Sequence, residues 1–288
     1  MKTWQRNPLL LSLALLCLLS AISCAPKQPQ VVQPAPPPPP EEVTPDTDPT
    51  EDIWQKFTSR VATTEIMSGP FRVSGALRYT DPEGKTNRVS SLLWGNNKPG
   101  APWPLRLDLT AGIGQVVAKV RETKNGLLAF IPDENVAYVH EGGSRTLASF
   151  GVPVPLALCD LALLLTGRGG LLFLPSPASA EAPVPAKRSL IADGARYTLN
   201  GVVLAGHLTL SKEGVPLEWR EAQSKGWVME FEAAPENPLR PSKLRIKHGK
   251  GWSALITVKD ITRVSPPYEN EQLDLVLPPD VEKLPLEQ

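Results

Sequence analysis

The residues able to do chemistry are few, and most of them are placed where they cannot. The chain carries three histidines and three cysteines. His140, His207 and His248 are far apart, fall on strand or turn positions and lack the spacing of metal ligands, so no metal site is expected. No HExxH, GxSxG or P-loop pattern occurs. Gly112-Ile113-Gly114 starts like a dinucleotide fingerprint, but the third glycine is missing and strand patterns follow instead of a helix. Asp108, Asp160, Glu218, Glu230 and Glu232 sit where strand alternation or a helix edge would solvate them, so paired carboxylate catalysis has no support. An enzyme is therefore not expected, and no cofactor is called for. Formal net charge is zero, with no basic stripe, which removes the electrostatic footprint of a nucleic-acid binder. What is left is thiol chemistry at Cys24 and the behaviour of apolar surface.

Cys24 ends an apolar run from Leu9 to Leu19 that is preceded by Lys2 and Arg6 and followed by Ala21-Ile22-Ser23. That order is a secretory signal: a charged start, an apolar core too short to span comfortably, and small residues at the cleavage point. A cysteine at that point resembles the bacterial lipobox, departing from it at Ala21, where Leu is usual. The thiol would then be acylated and become the new N-terminus. Ala25, and not Asp, follows Cys24. Cys17 leaves with the signal, so Cys159 has no disulfide partner. It lies in an apolar stretch and reads as a small buried hydrophobe, its thiol pKa raised by burial. The expected layout is signal peptide 1–23, lipidated Cys24 with a Pro-rich tether over 24–50, and one domain over 51–288. The tether includes the run Pro36 to Pro40 and can bury no apolar surface. Fully extended it reaches roughly 70–80 Å from the membrane.

The elements that must position anything functional are mostly strands. A helix is expected over about Asp52 to Ser68, with Trp54, Phe57 and Val61 on one face. Phe71, Val73, Gly75, Leu77 and Tyr79 then alternate with polar residues, and Asp81-Pro82-Glu83-Gly84 is a turn. Further strands are expected at 89–94, 105–110, 116–121, 127–131, 136–140, 196–199, 202–210, 217–221, 227–232, 242–247, 253–259 and 273–277. Such spacing predicts a curled, incompletely closed antiparallel β-barrel. Pro155 to Gly167 interrupts it with a short helix that is apolar nearly all round and must be covered on most sides. Its leucines, Leu158, Leu161, Leu164 and Leu165, are either ordinary core or a lid over an apolar cavity. Alternation offers Trp94, Leu107, Leu109, Val120, Trp227 and Met229 as lining residues, subject to register. Residues Leu171 to Lys187 look like an insertion or long mobile loop. Ile113, a large aliphatic between Gly112 and Gly114, is out of place for a tight exposed turn.

The order of four stretches resembles the LolB branch of the LolA/LolB lipoprotein-handling superfamily. They are Phe71 to Leu77, Leu92-Leu93-Trp94, Pro104 to Gln115, and Phe150-Gly151-Val152-Pro153-Val154-Pro155-Leu156 followed by the helix ending at Gly167. The later strands fit the superfamily more loosely, and the closing strand is more like its carrier-type members. The resemblance implies an open antiparallel barrel with an N-terminal helix and a lid helix. It implies an apolar cavity for acyl chains of lipoprotein or lipid cargo, received from a periplasmic carrier. It also implies outer-membrane sorting, facing the periplasm, which Ala25 in place of Asp after Cys24 fits, and that Gly112-Ile113-Gly114 is the loop whose tip enters the membrane. A lipid-binding or envelope-assembly lipoprotein of the same fold, with no transfer activity, is the alternative.

Overall fold

The computed structural model describes residues 48–63, 69–97, 104–142, 144–175, 185–224 and 226–286. The signal segment, Cys24 and nearly all of the tether lie outside the described residues. Helix α1 (Pro49–Thr63) opens the domain. Asp48 caps it, accepting from the Thr50 amide at 2.9 Å and hydroxyl at 2.7 Å, with Pro49 at the first helical position. The helix thus begins three residues before the expected Asp52. Strands β1 (Gly69–Thr80), β2 (Thr86–Asn97), β3 (Leu105–Ala111), β4 (Gln115–Thr123), β5 (Gly126–Ile131) and β6 (Val136–Glu141) form a run of antiparallel neighbours. Helix α2 (Leu158–Leu163) follows, and then β7 (Lys187–Ile191), β8 (Gly194–Leu199), β9 (Gly206–Ser211), β10 (Pro216–Arg220), β11 (Trp227–Ala234), β12 (Asn237–His248) and β13 (Ser253–Arg263). A one-turn helix α3 (Asn270–Leu273) and strand β14 (Glu282–Pro285) complete the chain.

All strands join one sheet in the order β14-β6-β5-β4-β3-β2-β1-β13-β12-β11-β10-β9-β8-β7. β1 and β13 pair antiparallel, so the two halves of the chain meet at the centre of the sheet. Among the described residues the two edge strands, β14 and β7, do not pair with each other, and the sheet curls without closing. This is the architecture expected from the strand spacing. Alternation decides which side is inside: Phe71, Val73 and Leu77 are buried while Arg72 and Arg78 are exposed. Gly75 lies on the inner phase at a bulge, where a Cβ would stand 2.6 Å from the Thr257 carbonyl oxygen. Only glycine lets the strands approach there.

The inner face is filled from two sides. Near β8, Trp54 of α1 lies 5.0 Å from Tyr197 between ring centroids, and the Tyr197 hydroxyl donates to the Thr50 carbonyl at 2.6 Å. Phe57 meets Phe173 at 6.4 Å, and Phe173 meets Phe231 of β11 edge-on at 6.2 Å. Phe173 belongs to a 3-10 turn over Gly169–Phe173 in which Leu172 and Phe173 are both 1% exposed. The start of the expected loop over Leu171 to Lys187 is therefore core, fastened by Leu204 donating to the Leu172 carbonyl at 2.9 Å. Its last residue opens β7, and residues 176–184 lie outside the described set.

The expected strand over 273–277 is a second correction. Leu273 ends α3, and 274–277 run on across the outer face of β2 to β6 without joining a ladder. Asn96 and Tyr268 exchange two hydrogen bonds, at 2.8 and 3.0 Å. Trp94 Nε1 donates to the Gln272 carbonyl at 3.4 Å, Arg121 to that of Leu273 at 3.1 Å, and Arg106 to that of Asp274. Leu275 closes a small outer core with Phe130 and Ala137. The strap then ends as β14, parallel to β6.

Candidate functional site

The site is built on the inner face of β1 to β4 and β13, under α2. Leu107 and Leu109 of β3 point inward with Val73 and Leu77 of β1, Leu93 of β2 and Ile256 of β13. Leu161 and Leu165 cover them from one face of the helical segment, one turn apart. Leu147, Val152 and Val154 close the side. Ser91 is the polar member of a wall that is otherwise aliphatic. The free space between them is only about 30 Å³, room for about two water molecules. Helix α2 and the turn after it rest directly on the sheet.

The lid has a distinctive construction. Its first α-helical turn has no side-chain cap of its own at Ala157. Glu122 of β4 supplies one instead: its Oε2 accepts from the Cys159 amide at 2.7 Å. Glu122 is fully buried, and its Oε1 has no partner among the described residues. Burial pushes the Glu122 carboxyl up to about 7 against the hydrogen bond from the Cys159 amide, and the nearby Asp160 charge adds to the rise. Cys159 is buried beside it, its thiol pushed up to about 12 by burial and by the Asp160 and Glu122 charges. Beyond α2 the chain widens into a π turn over Leu164–Arg168, where Gly167 takes a φ of 85°. Thr166 donates back to the Ala162 carbonyl at 2.7 Å. Leu158 and Leu164 are buried but do not line the cavity.

The sequence-derived lining residues divide by face. Leu107 and Leu109 line the cavity. Val120 is buried on the same face, directly paired with Leu107, but stands off the cavity wall. Met229 is fully buried in the α1 half of the inner face. Trp227, in register with it, is half-buried against the His248 ring at 4.5 Å. Trp94 is on the wrong side. Its neighbour Leu93 takes the inner face, so Trp94 projects outward, under the strap, with the Arg106 guanidinium 5.5 Å from its ring. Glu122 escaped sequence reasoning, yet it follows Ala118 and Val120 on the inward phase of β4, and a carboxylate in that phase was the available signal.

At one end of the sheet, β3 and β4 are joined by Gly112-Ile113-Gly114. Ala111 and Gln115 form the last pair of the ladder, and both glycines have positive φ, 51° and 81°. Ile113 at the tip is completely exposed, at 108% of its reference area. The loop is anchored below the tip by Gln115, which donates to Asp133 at 3.2 Å.

No protein-family model matches the sequence, and no curated protein matches it. The fold is found in solved structures. A DUF1329 family protein from Desulfovibrio piger aligns over 79% of this chain and 98% of its own, with a TM-score of 0.51 and 10% identity. A LolA superfamily protein from Nitrosomonas europaea aligns over 76% and 94%, with a TM-score of 0.49 and 13% identity. A candidate outer membrane lipoprotein-sorting domain from Vibrio parahaemolyticus aligns over 78% and 97%, at 0.45 and 9%. Likeness at such identities is likeness of fold. The open curled sheet, N-terminal helix and short apolar inner helix are the elements expected from the sequence.

Proposed function

We propose that this chain is an envelope lipoprotein of the LolA/LolB superfamily, anchored through acylated Cys24, that receives acyl chains beneath α2 and hands them to the membrane. The cargo is the acyl moiety of a lipoprotein delivered by a periplasmic carrier, and the membrane is the outer membrane. No helix among the described residues is long and apolar enough to cross a bilayer, so contact with lipid falls to the anchor and the tip. The observation that carries the reading is Ile113, wholly exposed between two glycines at the end of the sheet whose inner face forms the aliphatic cavity. An isolated exposed aliphatic is common. One presented at the apex of a hairpin by two left-handed glycines is placed to enter a bilayer without moving the sheet.

Transfer by burial needs comparable environments on both sides. An acyl chain gains about 0.8 kcal/mol per methylene removed from water, whether it enters the cavity or the bilayer. The lid must lift for entry, since the closed space holds only about 30 Å³. Ile113 then opens the headgroup layer for exit. The test is a transfer assay with acylated lipoprotein on its carrier, this protein and liposomes. Wild type should take and deliver cargo, whereas Ile113→Glu should take it at a normal rate and deliver it at least tenfold more slowly. A wild type that never takes the cargo removes the receptor reading in favour of a free-lipid binder of the same fold.

A further inference from the structure

The outer face of the sheet carries a feature the transfer reading does not use. Arg78 of β1 stands directly opposite Arg88 of β2. Like charges facing each other across a ladder are destabilising unless something else neutralises them. Across β13, Arg245 and Lys247 of β12 continue the same face: Arg78 pairs with Leu255, which pairs with Arg245. Lys247 is engaged by Glu230 at 2.7 Å. Among the described residues no carboxylate stands within ion-pair distance of Arg78, Arg88 or Arg245. Arg78, Arg245 and Lys247, with Thr80, Thr86 and Ser253, line a groove of about 280 Å³. The Thr80 and Thr86 hydroxyls lie 2.9 Å apart along it. Guanidinium groups with converging hydroxyls suit an oxyanion such as a phosphate.

The register puts this row beside the Ile113 tip. Ser90 pairs with Thr110, so Arg88, two residues further along β2, is level with Gly112. At about 4.8 Å per strand, Arg88 lies about 5 Å, Arg78 about 10 Å and Arg245 roughly 20 Å from the hairpin. The turn beyond them carries Asp81 and Glu83 against Lys85, a net charge of −1, and Glu230 stands opposite Arg245 but is engaged by Lys247, so the basic field comes from Arg78, Arg88 and Arg245.

We infer that Arg78, Arg88 and Arg245 form a headgroup-binding strip that holds the phosphates of anionic lipids while Ile113 enters the same membrane. The strip orients the hairpin and sets a preference for anionic bilayers. It rests on the membrane-contact reading of Ile113 for its partner, and continuity with that tip favours a lipid surface over an acidic protein. The experiment uses the chain from Ala25 onward, which keeps the whole folded unit and lacks the acylation site. Its binding is measured by co-sedimentation with vesicles of neutral phosphatidylcholine alone, or with about one quarter phosphatidylglycerol. Each basic residue at an anionic surface contributes about fivefold, so three should give on the order of 100-fold tighter binding to the anionic vesicles. The gain should collapse when salt rises from about 0.1 M to about 0.5 M. Arg78→Gln/Arg88→Gln/Arg245→Gln should lose the gain and keep the weak neutral binding, and Lys187→Gln should lose nothing. Ile113→Glu should weaken binding to both vesicle types. Equal wild-type binding to both compositions overturns the strip and leaves the tip intact. Anionic binding that needs the arginines but ignores Ile113→Glu sustains the strip and overturns the tip. A triple variant that binds vesicles normally but takes cargo slowly from the carrier assigns the strip to a protein and ends the proposal.

Discussion

At the scale of single residues, the most consequential group is Glu122. Its carboxyl accepts from the Cys159 amide at the start of α2, yet it is buried and has one oxygen without a partner among the described residues. Folding therefore favours its protonated form, with a folded value of about 7 against an ordinary 4.5. A group whose folded pKa is raised contributes stability that is complete below its unfolded pKa and lost as pH rises through the folded one. Burial raises Asp160 in the same direction. Stability of the domain should fall between about pH 5 and pH 8, with Glu122 contributing up to about 3 kcal/mol of that fall. Glu122→Gln keeps an oxygen for the Cys159 amide and cannot ionise. We expect it to match wild type at pH 5 and to exceed it by about 1–3 kcal/mol at pH 8 in denaturant unfolding. Parallel stability curves for the two proteins would contradict this. Parity along β4 places Glu122 inward, but the cost of that placement depends on α2 lying above it, and no local pattern announces α2 as its partner.

At the scale of elements, legibility followed the physical source of each signal. Where a strand has one wet face, as β1 does, period-two alternation reports both its existence and its inner side. Around Leu92-Leu93-Trp94 both faces are covered, the inner by the lid and the outer by the strap, so alternation disappears and the side taken by Trp94 cannot be read. The strap itself misleads for a related reason. Leu273, Leu275 and Leu277 alternate truly, but Leu273 ends a helical turn and the other two lie on an extended stretch with one buried side, not in a ladder. The start of α1 was legible in Asp48-Pro49 with Glu51 following, a capping sequence that the apolar face alone does not reveal. The strap makes a paired test. Leu275 is 6% exposed and Val276 is 83% exposed, side by side. Leu275→Ala should cost about 2–3 kcal/mol by thermal or urea unfolding, while Val276→Ala should stay within about 0.5 kcal/mol. Equal small effects would mean the strap is not seated in solution.

At the scale of the whole molecule, the proposed transfer of acyl chains has to be reconciled with a trough that is well filled. The sheet is pinned at its centre by the β1 and β13 pairing and free at both edges, so the inner face can be uncovered without breaking the ladder. The lid's two cavity-facing leucines, Leu161 and Leu165, contribute about 1.5–3 kcal/mol each when buried, as does each aliphatic they cover. An acyl chain of about sixteen carbons returns roughly 12 kcal/mol on burial. Self-packing and cargo packing are then of similar size, which is what a molecule needs if it must both load and unload. Weakening the self-packed state should tilt that balance in a defined direction. Leu161→Ala and Leu165→Ala each leave a void under the lid and should lower the stability of the empty protein by about 2–5 kcal/mol. The same void is room for cargo, so uptake of an acyl ligand should be undiminished or faster and delivery to liposomes slower by about tenfold. Loaded variant and loaded wild type should melt closer together than the empty pair, because the ligand fills the space the leucine left. If instead each variant loses uptake in proportion to its lost stability, the leucines belong to a permanent core and α2 does not act as a lid.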